Sequence, residues 1–193
     1  MVAQEARECG ADVVNDVSGG GDDPAILGVA KKYGAGVILM HRYKKPSHDA
    51  YSDAYGTNDR PKYADVVEAV ISYYKKEALP RAMNAGIDPA KIMIDPGLGF
   101  GKSIEDNLAL IRGTDRLAHA LGRPILSGLS RKSFVGRVCL QRDSTPDERG
   151  SGTIAMSILH AMFARQAGID MLWRVHDVHG HIQAARAIES VFR

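Results

Sequence analysis

Short apolar runs rich in β-branched residues alternate along the chain with longer stretches whose apolar positions recur three and four residues apart. The short runs, Asp12–Asp16, Gly36–His41, Lys91–Asp95, Pro124–Gly128 and Met171–His176, read as strands. The longer ones, near Pro24–Tyr33, Lys62–Ala85, Ile104–Leu121, Pro146–Ala167 and Ile182–Phe192, read as helices, with Pro24 and Pro146 where a first helical turn tolerates proline. Strand and helix in alternation predict parallel strands joined by crossover helices, an α/β fold. Nothing repeats and no linker divides the chain, so residues 1–193 are expected to form one domain. Arg42–Pro61 is polar and long for a connection, the kind of loop that has a task or moves.

Polar side chains gather at one end of this pattern. Asn15 and Asp16, His41, Asp95, Ser130 with Arg131 and Lys132, and Arg174 with His176 each stand at or just past the C-terminal end of an expected strand. In parallel α/β folds that edge is where chemistry is built, in closed barrels and open sheets alike.

Composition narrows the partners. The formal charge of +2 is spread without a block of one sign, so nothing marks a nucleic acid or an anionic membrane as a partner. Cys9 and Cys139 are too few and too far apart for a disulfide framework, and read as two packed thiols in a reducing compartment. The N-terminal "MVAQEARECGADVV" is charged where a signal peptide is apolar, and no run approaches membrane-spanning length. A cytoplasmic location is the expectation.

"IDPGLGFGKS", Ile94–Ser103, resembles a phosphate loop but fails as one. Pro96 stands where a Walker loop needs its first glycine, and Lys102 where a dinucleotide fingerprint needs its last. What remains is a strand ending in a carboxylate, a glycine-shaped turn, and a helix opened by Ser103 with Asp106 three residues on, a capping box. A tight turn accounts for Gly97 and Gly101; it does not account for Asp95, because a carboxylate ending an apolar strand is costly unless it binds something. Lys102 acquires no role at this level.

"GLSRKSF", Gly128–Phe134, resembles a nucleophile elbow, but Lys132 replaces its second glycine. Two cations and a hydroxyl at a strand end suit an anionic ligand instead, unless they are only a solvated surface. In "LWRVHDVHGH", alternation puts Arg174 and His176 on one side, able to grip a phosphate or diphosphate, and Trp173 on the other, as packing between sheet and helix. His176, His179 and His181 lack a clear fourth partner and the spacing of a zinc site, so no metal ligands are assigned. Met40 reads as core, or as a pocket wall because of its place at a strand end. The inventory has no nucleophile–base pair, and favours group transfer from an anionic leaving group over hydrolysis.

The motifs "NDVSGG", "ILMH", "IDPGLGFGK", "GLSRKSF" and "RVHDV", in that order, resemble the dihydropteroate synthases of the pterin-binding barrel family. The resemblance implies a (β/α)8 TIM barrel, here an incomplete one of about five βα units, strands 4–8, with the chain starting inside the barrel's third helix. It also implies the folate-pathway condensation of 6-hydroxymethyl-7,8-dihydropterin diphosphate with p-aminobenzoate, helped by Mg2+ whose usual ligand belongs to a part of the family pattern that this chain does not match. Carried over by motif, Asn15, Met40, Asp95 and Lys132 would bind the pterin, with Asp95 and Lys132 the catalytic pair. Phe100, Lys132 and Ser133 would form the aminobenzoate pocket, and Arg174 and His176 would hold the diphosphate. Family members dimerise through their last helices, so a homodimer is implied. Five units cannot close an eight-stranded barrel. A flavodoxin-like open sheet is therefore the alternative fold, and a non-catalytic pterin- or diphosphate-binding chain, needing a partner to complete the barrel, the alternative function.

Overall fold

In the computed structural model, which describes residues 2–43 and 62–192, all five expected strands form one parallel sheet. They are β1 (Val13–Asp16), β2 (Gly36–Met40), β3 (Ile92–Asp95), β4 (Ile125–Ser127) and β5 (Met171–Trp173), and each pairs with the next in chain order. Each is shorter than the run that announced it, ending just before His41, Gly128 or Arg174 in three cases and leaving those residues at the strand ends.

The order decides between the two folds. A doubly wound sheet reverses its strand order so that helices cover both faces. Here the order never reverses, and right-handed crossovers then put every helix on one side. That is an arc of a barrel, not a flavodoxin-like sheet. The helix-facing residues Val14, Val37, Leu39, Ile92, Ile94 and Ile125 are buried in the core. The opposite face, matched in register as Asn15↔Ile38, Met40↔Asp95 and Leu126↔Leu172, is the barrel interior. At the two edges of the arc it lies open: Val13 on β1 is 50% exposed and Leu172 on β5 47%.

The helices differ from expectation where local chemistry intervenes. The chain begins in α1 (Val2–Glu8), and α2 (Ala25–Lys32) follows Pro24. The segment Lys62–Ala85 is α3 (Val66–Tyr73), a π-helical turn (Tyr74–Ala78) and α4 (Leu79–Asn84). Pro80 inside a helix would clash with the carbonyl four residues back, and the wider turn absorbs it. Ile104–Leu121 is not one helix: Gly113 ends α5 (Ile104–Arg112) and α6 (Thr114–Leu121) begins. The Ser103–Asp106 capping box is formed on both sides. Helix α7 (Ser133–Leu140) was not expected at all, α8 (Gly150–Gln166) follows a short 3-10 turn over Asp147–Arg149, and α9 (Val178–Val191) starts ahead of Ile182 because the Asp177 side chain caps it at Gly180.

Cys9 and Cys139 are not buried thiols: both are exposed, Cys9 just after α1 and Cys139 near the end of α7, where its sulfur borders Gly152 of α8. Of the long loop, Arg42 and Tyr43 are described, Arg42 paired with Asp22, and the rest lies outside the described residues. Among the described residues no helix is long and apolar enough to cross a membrane.

Candidate active site

Asp95 is the centre. It ends β3 on the barrel face, where no apolar neighbour can serve it, and it is 1% exposed. One carboxylate oxygen accepts the Gly97 N–H at 2.8 Å, which the turn after Pro96 supplies. The other accepts from Nη2 of Arg174 at 3.0 Å, while Nη1 of the same guanidinium reaches Asn15 Oδ1 at 2.9 Å. Burial pushes the Asp95 carboxyl up, and the Arg174 charge, the Gly97 N–H and the Lys102 charge work against that rise. From behind, the buried Tyr74 hydroxyl lies 2.7 Å from both the Asp95 and the Leu39 carbonyl oxygens, fixing the ends of β3 and β2 together.

The glycine turn beside Asp95 is spent on itself. Gly97, Gly99 and Gly101 all have positive φ, and a side chain at Gly97 would run into the His41 carbonyl, one at Gly101 into Tyr43. The Gly97 N–H goes to Asp95, the Gly99 N–H to Asn107 Oδ1 at 2.6 Å, and the Phe100 N–H to the Gly97 carbonyl at 3.1 Å. Beneath the turn lies Lys102, buried against the end of β2, while the Phe100 ring faces Lys132, whose Nζ stands 3.7 Å from its centroid.

Across the mouth the chain turns sharply after β4. Arg131 takes a left-handed backbone, φ 57°, and its N–H bonds Thr153 Oγ1 at 3.0 Å. A non-glycine residue held in that conformation is a strained position, of the kind that clusters at functional sites. The turn leaves Ser130 pointing at His176: the Ser130 hydroxyl lies 2.9 Å from His176 Nδ1 and accepts the His176 backbone N–H at 3.2 Å. Arg131 itself points out to Asp147 at 2.8 Å. The other two histidines diverge, His181 into the core against Ser157 and Trp173, His179 toward Gln183.

These groups enclose a cleft of about 660 Å³. Six of the sequence-expected residues line it, Asn15, Phe100, Lys132, Ser133, Arg174 and His176; Met40 and Asp95 are buried beneath, Met40 being the registered neighbour of Asp95. Arg174, expected with His176 at the diphosphate, has a carboxylate partner here. Its guanidinium is shared between Asn15 and Asp95, because a buried carboxylate recruits the nearest strand-end cation. Sequence reasoning missed Arg149 at the start of α8, which lines the cleft and donates to the Arg131 carbonyl at 2.8 Å. It lies far beyond the "SRKSF" motif and carries no pattern of its own.

A parallel arc of βα units whose strand ends surround one buried carboxylate with cations and aromatic walls defines a ligand-binding protein of the TIM-barrel class. The profile of a family described as pterin binding enzyme matches residues 1–176. Over 190 residues the chain is 37% identical to the dihydropteroate synthase of Mycobacterium leprae (strain TN), covering 97% of this chain and 62% of that protein. It is 42% identical over 189 residues to a probable bifunctional folylpolyglutamate synthase/dihydropteroate synthase of Halobacterium salinarum, covering 98% of this chain and 21% of that one. The Xanthomonas albilineans dihydropteroate synthase in complex with 7,8-dihydropteroate superposes with a TM-score of 0.80 at 34% identity, over 99% of this chain and 63% of the other. The chain belongs to the pterin-binding enzyme family, and spans about three-fifths of the length of most of the curated relatives it matches.

Proposed function

We propose that this chain carries the pterin, aminobenzoate and diphosphate contacts of a dihydropteroate synthase. The observation that carries the reading is the buried Asp95 carboxylate, facing the cleft at a strand end and sharing one guanidinium with Asn15. Such acceptors match the ring N–H and amino donors of a pterin, a flat heterocycle that Met40 can pack beside. The ring takes over these acceptors on binding, and Arg174 turns with His176 to the diphosphate. Its side chain is 41% exposed, which leaves it room to turn.

The amine of p-aminobenzoate, walled by Phe100 and Lys132 with Ser133 toward its carboxylate, forms a bond from nitrogen to the exocyclic methylene of the pterin. The carbon–oxygen bond to the diphosphate breaks, its electron pair leaves with the diphosphate, and the amine proton passes to solvent. Breaking that bond early leaves a pterin cation, and cationic groups at the mouth stabilise the departing anion.

The resemblance implies Mg2+ with the diphosphate, but the described residues do not form a site for it. Asp95 is engaged by Arg174 and Gly97, its neighbours at the mouth are cationic, and among the described residues no three His, Cys, Asp or Glu side chains could hold a metal ion.

A homodimer through the last helices is supported by helix α8, "GSGTIAMSILHAMFARQ", which is apolar around much of its circumference and leaves Leu159 exposed. Beside it, a groove of about 500 Å³ with Ile158, Met162, Trp173 and Ile188 in its lining separates α8 from α9, away from the cleft.

A second reading, a binder that needs further strands to turn over, is favoured by the open apolar edges at Val13 and Leu172. Calorimetry with the pterin diphosphate, followed by a product assay with p-aminobenzoate, separates the two. Heat with dihydropteroate formed supports the synthase; heat without product supports the binder. Absence of heat refutes both.

A further inference from the structure

We infer that Lys102 is a positioning residue: its buried ammonium pins the Gly97–Gly101 turn to the end of β2 and thereby holds the Phe100 ring at the cleft. The inference rests on the reading of the cleft given above, in which Phe100 walls the aminobenzoate.

Lysine is almost never fully buried unless paired, yet Lys102 is 1% exposed. Its Nζ lies 3.0 Å from the Gly97 carbonyl, 2.9 Å from the Phe100 carbonyl and 3.1 Å from His41 Nδ1. An ammonium has three protons to donate, and among the described residues three acceptors surround it. A donor on Nδ1 requires His41 to keep its own proton on Nε2, so the ring is one defined tautomer. That ring stands edge-on to Tyr73, 5.0 Å between centroids, on the rigid end of β2.

The turn needs such a pin. Its three glycines with positive φ have no side chains to pack, Leu98 alone of its residues reaches into the apolar core, and the N–H groups of Gly97, Gly99 and Phe100 are already committed to Asp95, Asn107 and Gly97. Two of its carbonyls face inward: that of Phe100 takes the Lys102 ammonium, and that of Gly97 takes it beside the Phe100 N–H within the turn. Lys102 reaches back from just ahead of α5 to do so. Each end of the four-residue stretch between Gly97 and Phe100 is thereby fixed, and the Phe100 ring that emerges from it meets Lys132. A fold-stabilising lysine would act on both ligands alike; a positioning one, though the Gly97 N–H also serves Asp95, acts more strongly on the ligand that Phe100 meets.

The test uses the full chain and Lys102→Met, with and without ligands. Without ligand, nitrogen NMR of the wild type should show His41 as a single tautomer protonated at Nε2, and Lys102→Met should lose that single state. Amide exchange at Phe100 and Gly101 should accelerate about tenfold or more, as expected for losing charge-assisted hydrogen bonds, with Ile94 and Leu117 unchanged. With pterin diphosphate saturating, p-aminobenzoate affinity should fall about tenfold or more while pterin diphosphate affinity stays within about threefold. Phe100→Ala should reproduce the p-aminobenzoate loss and leave the His41 tautomer intact. An unchanged tautomer and unchanged turn exchange in Lys102→Met would overturn the inference, as would equal weakening of both ligands. If the wild type binds neither ligand, the functional reading fails for this chain, and the tautomer and exchange measurements alone decide for or against the pin. Should Lys102→Met not fold, His41→Leu removes only the third acceptor; turn exchange as slow as the wild type there sinks the idea.

Discussion

Replacing Arg174 by methionine removes the cation from Asp95 and keeps most of the stem. The guanidinium stands 3.0 Å from a carboxylate that is 1% exposed, while the Arg174 side chain itself is 41% exposed, so water screens the pair from one side only. Breaking a fully buried pair costs about 3–5 kcal/mol and a surface pair about 0–1 kcal/mol; this half-wet pair falls between, at about 2 kcal/mol. In a cycle with Asp95→Asn the coupling should be about 1–2 kcal/mol, because the amide needs no cation. The effect must also depend on pH with a definite sign. Burial raises the Asp95 carboxyl above its ordinary 3.8, with Arg174 the largest opposing influence. A group whose pKa is raised by folding contributes stability that is complete below the unfolded value and lost as pH rises through the folded one. Losing Arg174 raises the carboxyl further. The gap between wild type and variant should therefore be widest near pH 7 and close as pH falls toward about 4, where a protonated Asp95 needs no partner. Urea unfolding followed by the single tryptophan, Trp173, reads both quantities. A gap that stays constant with pH, or a coupling within about 0.3 kcal/mol of zero, would refute the pairing.

Three further perturbations read other parts of the fold. Burial pushes His160 down to about 4, so its neutral form favours the folded state and stability is lost as pH falls from about 6.5 toward 4. His160→Gln should remove about 2 kcal/mol of the wild-type loss between pH 7 and pH 5, measured by urea unfolding at the two values; identical pH slopes exclude it. Tyr74→Phe takes the donor from the Leu39 and Asp95 carbonyls, both at 2.7 Å, and should cost about 1–2 kcal/mol in the same assay, whereas a neutral result would mean that hydroxyl carries no strain between β2 and β3. At Arg131, held at φ 57°, valine should lower the thermal midpoint by the equivalent of about 1–2 kcal/mol and glycine should be tolerated; equal tolerance of both would show that the left-handed turn is not required.

The strands were legible because each buries one face against helices and ends in polar residues, so an apolar run closed by Asn15, Asp95 or Arg174 reports both its period and its polarity. What alternation could not report is where a long side chain goes. It put Arg174 on the correct face, but the carboxylate that draws its guanidinium lies 79 residues away, on a strand that only the sheet order brings near. Helix α7 escaped because "SFVGRVCL" is short, carries Gly136 at its centre, and follows a motif that reads as a turn. The break at Gly113 escaped because the apolar period runs through it, Leu110 and Ile111 on one side and Leu117 and Ala118 on the other, all buried.

The glycine turn shows how far a failed motif can still inform. Its sequence excluded a phosphate loop on two required positions, and the geometry gives the reason in terms of donors. A phosphate cradle works because backbone N–H groups point outward with nothing else to bind. Here the N–H groups of Gly97, Gly99 and Phe100 are all bonded within the turn and its supports. Those three donors are spent within the turn, and its inward carbonyls repel an anion. The charge that an anion needs comes instead from side chains, Lys132, Arg149 and Arg174, with His176 beside them, all lining the same cleft. The turn therefore serves the neutral parts of a ligand: it sets Asp95 for hydrogen-bond donors on one side and the Phe100 ring for an aromatic face on the other, and the cations around them give the cleft its polarity.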